Sequence, residues 1–246
     1  MPEKRGFLRA AVVGAGFVIL TIIFSFAAIP MVIVARDRGV AWVARWWARA
    51  ALGAAGVKVE LTDLSGVTLE PPYVVMANHT SISDIVALYA TLPIPVRFVA
   101  KREIQWIPIF GWVLGFGGAI MIDRSNRERA VASMQRAGRA VRRGASVVLF
   151  PEGTRTPVGF LGPLKKGPFH LAAEAQVPIL PVGILGSNDA LERGGWRINR
   201  ATMRIRIGTP IAAPTEDTDE ARAELSERVA AALAKLAELK VLDSPG

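Results

Sequence analysis

At residues 73–84 the chain reads Tyr73-Val74-Val75-Met76-Ala77-Asn78-His79-Thr80-Ser81-Ile82-Ser83-Asp84. A short apolar run passes directly into polar residues and then into a helical pattern, which is typical of a strand followed by a helix in an α/β fold. This order places His79 at the carboxyl end of a strand, where open α/β sheets form their ligand crevice. The stretch therefore predicts a fold class and the position of a site.

The pattern continues on both sides of this stretch, beyond Gly56. Short β-branched runs predict strands at about 57–62, 73–77, 96–100, 118–122, 147–150, 178–185 and 203–208. Helical spacing predicts helices at 126–143 and 217–240, the second with Asp217 or Thr218 as its N-cap. Alternating strands and helices indicate an α/β fold with a mixed, mostly parallel sheet flanked by helices.

The N-terminus is apolar. No charged residue appears from Ala10 to Ala35, a run about as long as a bilayer core requires. We expect an N-terminal hydrophobic membrane helix motif at residues 1–56 and a single α/β domain at residues 57–246. A secretory signal is a rival interpretation, but its apolar region spans only about 7–15 residues.

Two arrangements of the membrane segment remain open, because basic residues flank it on both sides. One is a single spanning helix. The other is a hairpin that reverses near Pro30 and leaves both ends on the cytoplasmic face, with residues 39–54 as a second, interfacial helix. Arg38, Arg45 and Arg49 fall on one helical face, and the tryptophans of this stretch prefer the headgroup level.

The composition limits the chemistry. The chain has 30 Lys and Arg against 21 Asp and Glu, a net charge of +9, which favours anionic partners such as acidic lipid or phosphate esters. It has no cysteine, which excludes a disulfide framework, a thiolate metal site and a cysteine nucleophile. The arginines of the 126–143 helix are interpreted as a solvated face: Arg127, Arg129, Arg136, Arg139, Arg142 and Arg143.

His79 and Asp84 form the first candidate constellation. A histidine becomes a useful general base near neutral pH when a carboxylate fixes its tautomer and stabilises the imidazolium. Five positions across a strand-to-helix turn can bring the two side chains together. A structural alternative stays open at this point, because Ser81-Ile82-Ser83-Asp84 also fits a helix capping box.

Basic residues follow three other predicted strands. In Phe150-Pro151-Glu152-Gly153-Thr154-Arg155 the glycine permits close backbone approach and the arginine offers a bidentate fork for phosphate. An internal ion pair between Glu152 and Arg155 is the alternative. Lys101 and Arg124 stand after two further strands, so the cationic groups converge on one crevice if these strands are neighbours.

Taken together, these segments resemble the glycerolipid acyltransferase family that includes the 1-acylglycerol-3-phosphate acyltransferases. The four blocks occur in order at Asn78–Asp84, Gly118–Arg124, Phe150–Arg155 and Val177–Gly183. The resemblance implies that His79 is the base and Asp84 its partner. It further implies that Lys101, Arg124 and Arg155 hold the acceptor's phosphate, and that Glu152 and Gly153 shape the acceptor site. Relatives often carry glutamine where this chain has Thr80.

The resemblance implies transfer of a fatty acyl group from acyl-CoA or acyl-carrier protein to the sn-2 hydroxyl of 1-acyl-glycerol-3-phosphate, forming phosphatidic acid in phospholipid biosynthesis. The partners would be membrane lipids, lysophosphatidic acid and the thioester donor, with no nucleic acid. We expect no cofactor and no metal, because a thioester is already activated. The expected location is a bacterial-type inner membrane with the active site on the cytoplasmic face; the sequence leaves the oligomeric state open.

Three other functions compete with this interpretation. The same chemistry could act on another lysolipid acceptor, such as lyso-ornithine lipid, lysophosphatidylcholine or glycerol 3-phosphate. A hydrolase could use Ser81 or Ser83 as nucleophile, although no Gly-x-Ser-x-Gly elbow surrounds either. A non-catalytic protein could use the basic surface to hold acidic lipid.

Overall fold

A computed structural model describes residues 2–106, 111, 118–123, 127–192, 194–195 and 197–242, without the side chains of residues 2–7, 32–38, 127, 130 and 131. The helices are α1 (Pro2–Ala55), α2 (Ser83–Thr91), α3 (Arg127–Arg142), α4 (Lys166–Ala175), α5 (Ser187–Ala190) and α6 (Asp219–Ala237), with a 3₁₀ turn at Arg102–Trp106. The strands are β1 (Val57–Asp63), β2 (Val74–Ala77), β3 (Val96–Lys101), β4 (Ile120–Ile122), β5 (Ser146–Leu149), β6 (Phe160–Leu161), β7 (Ile179–Leu185), β8 (Ala201–Ile207) and β9 (Lys240–Val241).

Seven of these strands form one sheet in the order β1-β8-β7-β2-β5-β3-β4. The pair β7–β8 is antiparallel, and the other neighbouring pairs are parallel. The prediction of a mixed, mostly parallel sheet is confirmed, and each predicted strand has its counterpart. The two-residue strands β6 and β9, which pair with each other, were too short to leave a sequence pattern.

The sheet is covered on both faces, which explains why its central strands are apolar throughout. All four residues of β2 are buried, as are the first six residues of β7. One face packs against α1 and α2 in a cluster that contains Trp47, Leu88 and Phe98. The other face packs against α3, α4 and α6. These two layers leave the strand ends open for a site.

The helix α1 turns back on itself, although its backbone is helical from Pro2 to Ala55. Arg9 Nη2 donates to the carbonyl of Ala55 at 2.7 Å, across 46 positions that a straight helix would spread over about 70 Å. Trp47 Nε1 donates to Thr21 Oγ1 at 3.0 Å. Two antiparallel arms therefore meet at a reversal that contains Pro30, the residue type that breaks helical hydrogen bonding. The geometry is that of the hairpin alternative.

The second arm carries Arg45 and Arg49, and both arginines face the domain. Arg49 Nε donates to the Ala90 carbonyl at 3.1 Å, and Arg45 donates to the Leu92 carbonyl. Carbonyls at a helix C-terminus have no partner within the helix, and cations satisfy them. The basic face of the second arm thus anchors the hairpin on the end of α2.

The predicted C-terminal helix 217–240 is shorter in the structure. Thr218 is its N-cap, and its side chain accepts from the Ala221 amide at 3.1 Å. The helix ends at Ala237 because Glu238 adopts a left-handed conformation with φ of 56°. The helix α1 ends at Ala55, and β1 begins at Val57. The division of the chain into two domains at residue 56 stays a prediction.

Candidate active site

The predicted site residues are gathered by the order of the sheet. The strands β2, β5, β3 and β4 are consecutive neighbours and run parallel. Their carboxyl ends therefore lie along one edge at steps of about 4.8 Å. His79 follows β2, Glu152 and Arg155 follow β5, and Lys101 ends β3. Arg124, predicted to follow β4, lies outside the described residues. The sheet brings the other groups to a single edge.

His79 and Asp84 are in direct contact. His79 Nδ1 lies 2.8 Å from Asp84 Oδ2, and Asp84 is fully buried while the imidazole keeps 15% of its surface exposed. An aspartate oxygen at Nδ1 holds the proton on that nitrogen, so Nε2 carries the lone pair. The arrangement presents a base to the crevice and supports it with a buried negative charge.

Asp84 also retains part of the capping role that its position suggested. Its Oδ2 accepts from the backbone amides of Thr80 and Ser81, both at 2.9 Å. The bond from Ser81 is one half of a capping box. The other half is absent, because the Ser81 hydroxyl accepts from the Ser83 amide at 3.3 Å and not from the Asp84 amide, while it donates to the Leu191 carbonyl. One carboxylate oxygen therefore orients the imidazole and fixes the turn that carries it.

Phe150 stacks on the imidazole of His79. The ring centroids are 3.9 Å apart and the planes are inclined by 15°. Phe150 stands directly after β5, and β5 neighbours β2, so the two rings meet at adjacent strand ends. Together with Asp84 this contact restricts rotation of the imidazole about both side-chain torsions. Phe150 begins one of the motifs recognised in the sequence, but that motif predicted no role for it.

Glu152 lies beneath His79 and holds its backbone. Its Oε1 accepts from the His79 amide at 2.8 Å, and its Oε2 accepts from the Gly162 amide at 3.1 Å. The Thr156 amide donates to the His79 carbonyl at 2.8 Å. Burial raises the pKa of the Glu152 carboxyl above its usual range, and the hydrogen bonds it accepts oppose that rise.

Arg155 makes no ion pair with Glu152, so the internal pair considered from the sequence does not form. The Glu152 oxygens are instead taken up by backbone amides. Arg155 is half-buried and precedes Thr156, the residue bonded to the carbonyl of His79. The turn from Glu152 to Thr156 therefore places the backbone of Arg155 beside the segment that carries the base.

Gly153 makes room for the side chain of Lys165. Gly153 has φ of 73°, and a Cβ atom there would lie 3.2 Å from Lys165 Cγ. The stem of Lys165 thus crosses this turn at the start of α4, which keeps its ammonium group exposed. Lys101, two strands from His79, is exposed and its Nζ lies 3.2 Å from Glu103 Oε1.

Asn78 joins the site to the strand on its other side. Its side-chain amide donates to the Ile184 carbonyl at 2.9 Å and accepts from the Ile184 amide at 2.7 Å. The hydroxyls of Thr80 and Ser187 lie 2.7 Å apart. These contacts tie the His79 segment to the end of β7. Ser83, one of the two serines considered as a nucleophile, donates to the Ser187 carbonyl.

A large apolar cavity begins beside this segment. It has a volume of about 700 Å³ and lies between α1 and the domain. Ile82 and Ser83 line it near the candidate dyad, Tyr89 lines it along α2, and Phe17 and Trp47 line it from the two arms of the hairpin. Its lining has the apolar character of cavities that hold lipid chains or similar ligands.

Comparison with known proteins identifies the family. The sequence model of the acyltransferase family matches residues 58–185, just over half of the chain. The chain belongs to the acyltransferase family. It is 34% identical to the 1-acyl-sn-glycerol-3-phosphate acyltransferase of Pseudomonas aeruginosa over 178 residues, which is 72% of this chain and 68% of the relative.

Other relatives are longer proteins. The chain is 36% identical over 173 residues to the chloroplastic 1-acyl-sn-glycerol-3-phosphate acyltransferase BAT2 of Brassica napus, covering 68% of this chain and 50% of that protein. It spans about half the length of several curated relatives it matches. The crystal structure of the 1-acyl-sn-glycerophosphate acyltransferase PlsC from Thermotoga maritima has the same fold, with a TM-score of 0.81, 21% identity, and coverage of 96% of this chain and 98% of that one.

Proposed function

We propose that this family member transfers a fatty acyl group from a thioester to the sn-2 hydroxyl of 1-acyl-glycerol-3-phosphate and so forms phosphatidic acid. The observation that carries the proposal is the contact between His79 and the buried Asp84, with the imidazole partly exposed at the edge where cationic residues collect. The names of the relatives support the choice of acceptor.

The chemistry needs a base and then an acid at the same place. His79 Nε2 takes the proton of the acceptor hydroxyl while the hydroxyl oxygen attacks the carbonyl carbon of the thioester. The tetrahedral intermediate expels the thiolate, and the imidazolium returns the proton to that sulfur. An ester and a thiol result. The carboxylate of Asp84 stabilises the imidazolium that forms. A positioned general base contributes about 10²–10⁴-fold to the reaction rate.

The acceptor's phosphate is assigned to the cationic side of the same edge. Arg155 supplies a planar fork suited to two phosphate oxygens. We assign supporting roles to Lys101 and, from the sequence, to Arg124. Glu152 and Gly153 act indirectly in this scheme, since Glu152 holds the backbone of His79 and Gly153 admits Lys165.

The proposed setting is the inner face of a bacterial-type inner membrane. The helical stretch Leu8–Met31 has 24 residues with a mean hydropathy of 2.5 and is long and apolar enough to enter a bilayer. Lysophosphatidic acid stays in the membrane, while acyl-CoA or acyl-carrier protein brings the donor from the cytosol. We propose that neither a metal nor a cofactor takes part, because the thioester is already activated.

The function is tested by an acceptor panel. Purified full-length protein is given radiolabelled acyl-CoA or acyl-carrier protein and one acceptor at a time: lysophosphatidic acid, lyso-ornithine lipid, lysophosphatidylcholine or glycerol 3-phosphate. We expect the fastest turnover with lysophosphatidic acid. Faster turnover on another acceptor would show that this lipid is the substrate. Lipid binding without turnover on any acceptor would show that the chain is a non-catalytic lipid-binding protein.

The dyad is tested with two variants in the same assay. His79→Ala removes the base, and Asp84→Asn keeps the shape of the carboxylate but not its charge. We expect each variant to lower kcat by roughly 10²–10⁴-fold with a smaller change in KM. His170→Ala, which removes the exposed histidine of α4, is the matched control and should keep its activity. A fully active His79→Ala variant would refute the mechanism.

A further inference from the structure

A short piece of chain lies between the base of the hairpin and the turn that carries His79. Leu191 and Ile198 pair there as an isolated antiparallel bridge, and we call these two residues the bridge pair. Both are half-buried, and both line the large apolar cavity between α1 and the domain. Ile198 shortly precedes β8, which starts beside the carboxyl end of β7. The bridge pair therefore lies at the same edge of the sheet as His79.

Arg9 binds the bridge pair from the side of the hairpin. Its Nε donates to the Ile198 carbonyl at 3.0 Å, and its Nη2 donates to the Ala55 carbonyl at 2.7 Å. Ala55 is the last residue of α1, so its carbonyl has no partner within the helix. One planar guanidinium group thus joins the first arm, the end of the second arm and the bridge pair.

The turn from His79 to Asp84, which we call the dyad turn, binds the bridge pair from the other side. Ser81 is 1% exposed, and its hydroxyl donates to the Leu191 carbonyl at 2.6 Å. The amide of the same residue donates to Asp84 Oδ2 at 2.9 Å, and this oxygen also binds His79 Nδ1. A displacement of Leu191 would therefore reach the carboxylate that orients the base.

Ser187 holds the segment before the bridge pair against the same turn. Its hydroxyl lies 2.7 Å from the hydroxyl of Thr80, and its carbonyl accepts from the Ser83 hydroxyl at 3.1 Å. Thr80 and Ser187 are both buried, and a buried hydroxyl that loses its partner is costly. Hydroxyl groups of Thr80, Ser81 and Ser83 thus attach the dyad turn to the segment that Arg9 binds.

We propose that Arg9 is a positioning residue for the acyl transfer, and that it acts on His79 through the bridge pair and Ser81. The inference rests on the proposed function and gives α1 a second role beside its entry into the bilayer. The contacts are continuous from the guanidinium group to the carboxylate of Asp84. Misplacement of a reacting group by about 1 Å can lower a rate by about 10²-fold.

The test is a double-mutant cycle in the full-length protein. Arg9→Gln removes the guanidinium group, and Ser81→Ala removes the hydroxyl that binds Leu191. Turnover is measured in detergent with the acceptor that the panel finds fastest, so that attachment to a membrane does not limit the rate. We expect each change to lower kcat by about tenfold or more, with a smaller change in KM. The loss in the double variant should be smaller than the product of the single losses, because both act on one contact path.

A second measurement needs no turnover. The amides of Thr80 and Ser81 bind Asp84, so their hydrogen exchange reports the order of the dyad turn. Arg9→Gln should speed exchange in the peptide that contains them by about tenfold or more and leave peptides of β5 unchanged. Equally faster exchange in both would show a general loss of stability and overturn the positioning role. If the native protein turned over no acceptor, the proposed function would fail, while exchange would still show whether Arg9 orders this turn.

Two further variants serve as controls. Arg228→Gln is the matched control, because it removes one exposed arginine from α6 and should change neither kcat nor exchange. Arg9→Lys keeps the charge but not the planar fork, so its kcat should lie between those of the native protein and Arg9→Gln. It takes the place of Arg9→Gln in the cycle if that variant does not fold. Unchanged kcat in Arg9→Gln, single losses that multiply in the double variant, or an equal loss in Arg228→Gln would overturn the proposal.

Discussion

His79 is held from three directions, and each contact restricts a different freedom. Asp84 binds Nδ1 and fixes the tautomer, Phe150 stacks on the ring, and Glu152 and Thr156 bind the backbone amide and carbonyl. The resemblance assigned Glu152 to the acceptor site. Its two carboxylate oxygens are occupied by backbone amides, which makes it a positioning residue for the base.

Glu152→Gln tests this positioning role. The amide nitrogen of glutamine would face a backbone N–H of either His79 or Gly162, because both carboxylate oxygens accept now. A buried donor without an acceptor costs about 1–3 kcal/mol in free energy of unfolding. We expect that loss in thermal or denaturant unfolding, with a lower kcat. Glu227→Gln, an exposed replacement on α6, is the matched control and should change neither quantity.

The same variant has a predictable dependence on pH. Burial raises the pKa of Glu152, so the folded state binds its proton more tightly than the unfolded state does. The free energy of unfolding of the native chain should therefore fall as the pH rises from the ordinary glutamate value of 4.5 through the raised pKa. Glu152→Gln lacks this group, so the stability gap between the two proteins should narrow over that window. If the difference in free energy of unfolding between the two proteins widened as the pH rises, the pKa of Glu152 would not be raised in the folded state.

The sequence predicted part of this site and missed part of it. The spacing of His79 and Asp84 across a strand-to-helix turn is local, so the pairing could be proposed from the chain itself. The stacking of Phe150 depends on which strand lies beside β2, and β5 begins some 70 positions later in the chain. No local pattern reports a contact of that range.

Among the elements, α1 shows why periodicity alone left two arrangements open. A helix that spans a membrane and a helix that reverses within it have the same apolar composition. The decision rests on contacts between the arms, such as the edge-to-face pair of Phe17 and Trp47 with ring centroids 5.5 Å apart. The buried indole N–H also needs an acceptor, which Thr21 supplies.

Introduced cysteines test the reversal in α1, since the native chain has none. Val13 and Ala51 both line the large apolar cavity, and in sequence they lie midway between the contacts Arg9–Ala55 and Phe17–Trp47. A short bifunctional reagent should join Val13→Cys to Ala51→Cys in membranes. In a straight helix these positions would be about 57 Å apart.

The control for this crosslink moves one cysteine along the first arm. The native Ile23 side chain is 56% exposed and lies ten positions from Val13, toward the reversal. A cysteine introduced there should therefore not be joined to Ala51→Cys. Equal crosslinking of both pairs would indicate nonspecific reaction. No crosslink at Val13 and Ala51 would refute the antiparallel arms.

For the whole molecule, the reversal of α1 predicts that both of its ends lie on the same side of a membrane. Arg9 in the first arm donates to the Ile198 carbonyl in the domain at 3.0 Å, so the base of the hairpin is joined to the domain. The exposed apolar residues of the first arm extend from Leu8 near this base to Ile29 near the reversal. Such a face suits a segment that enters one leaflet and returns.

The topology is tested by labelling Glu3→Cys in intact cells with an impermeant thiol reagent. We expect no reaction until the membrane is opened, because both ends of a re-entrant hairpin stay on the side of the domain. Arg228→Cys, on the exposed side of α6, reports the side on which the domain lies. Reaction of Glu3→Cys alone in intact cells would show that the segment crosses the membrane.

The sequence by itself predicted the strands of the main sheet, two of the helices and the apolar N-terminus, and it allowed His79 to pair with Asp84, because each depends on periodicity or on residues a few positions apart. Only the tertiary structure decided the order of the strands, the reversal of α1, the contact between His79 and Asp84 and the place of Glu152 beside the base. Apart from the contact between His79 and Asp84, each of these joins residues that are distant in the chain, and their positions follow from packing two layers against one sheet. The contact between His79 and Asp84 requires only the turn that follows β2. The contacts that Phe150, Glu152 and Thr156 make with His79 require β5 to lie beside β2.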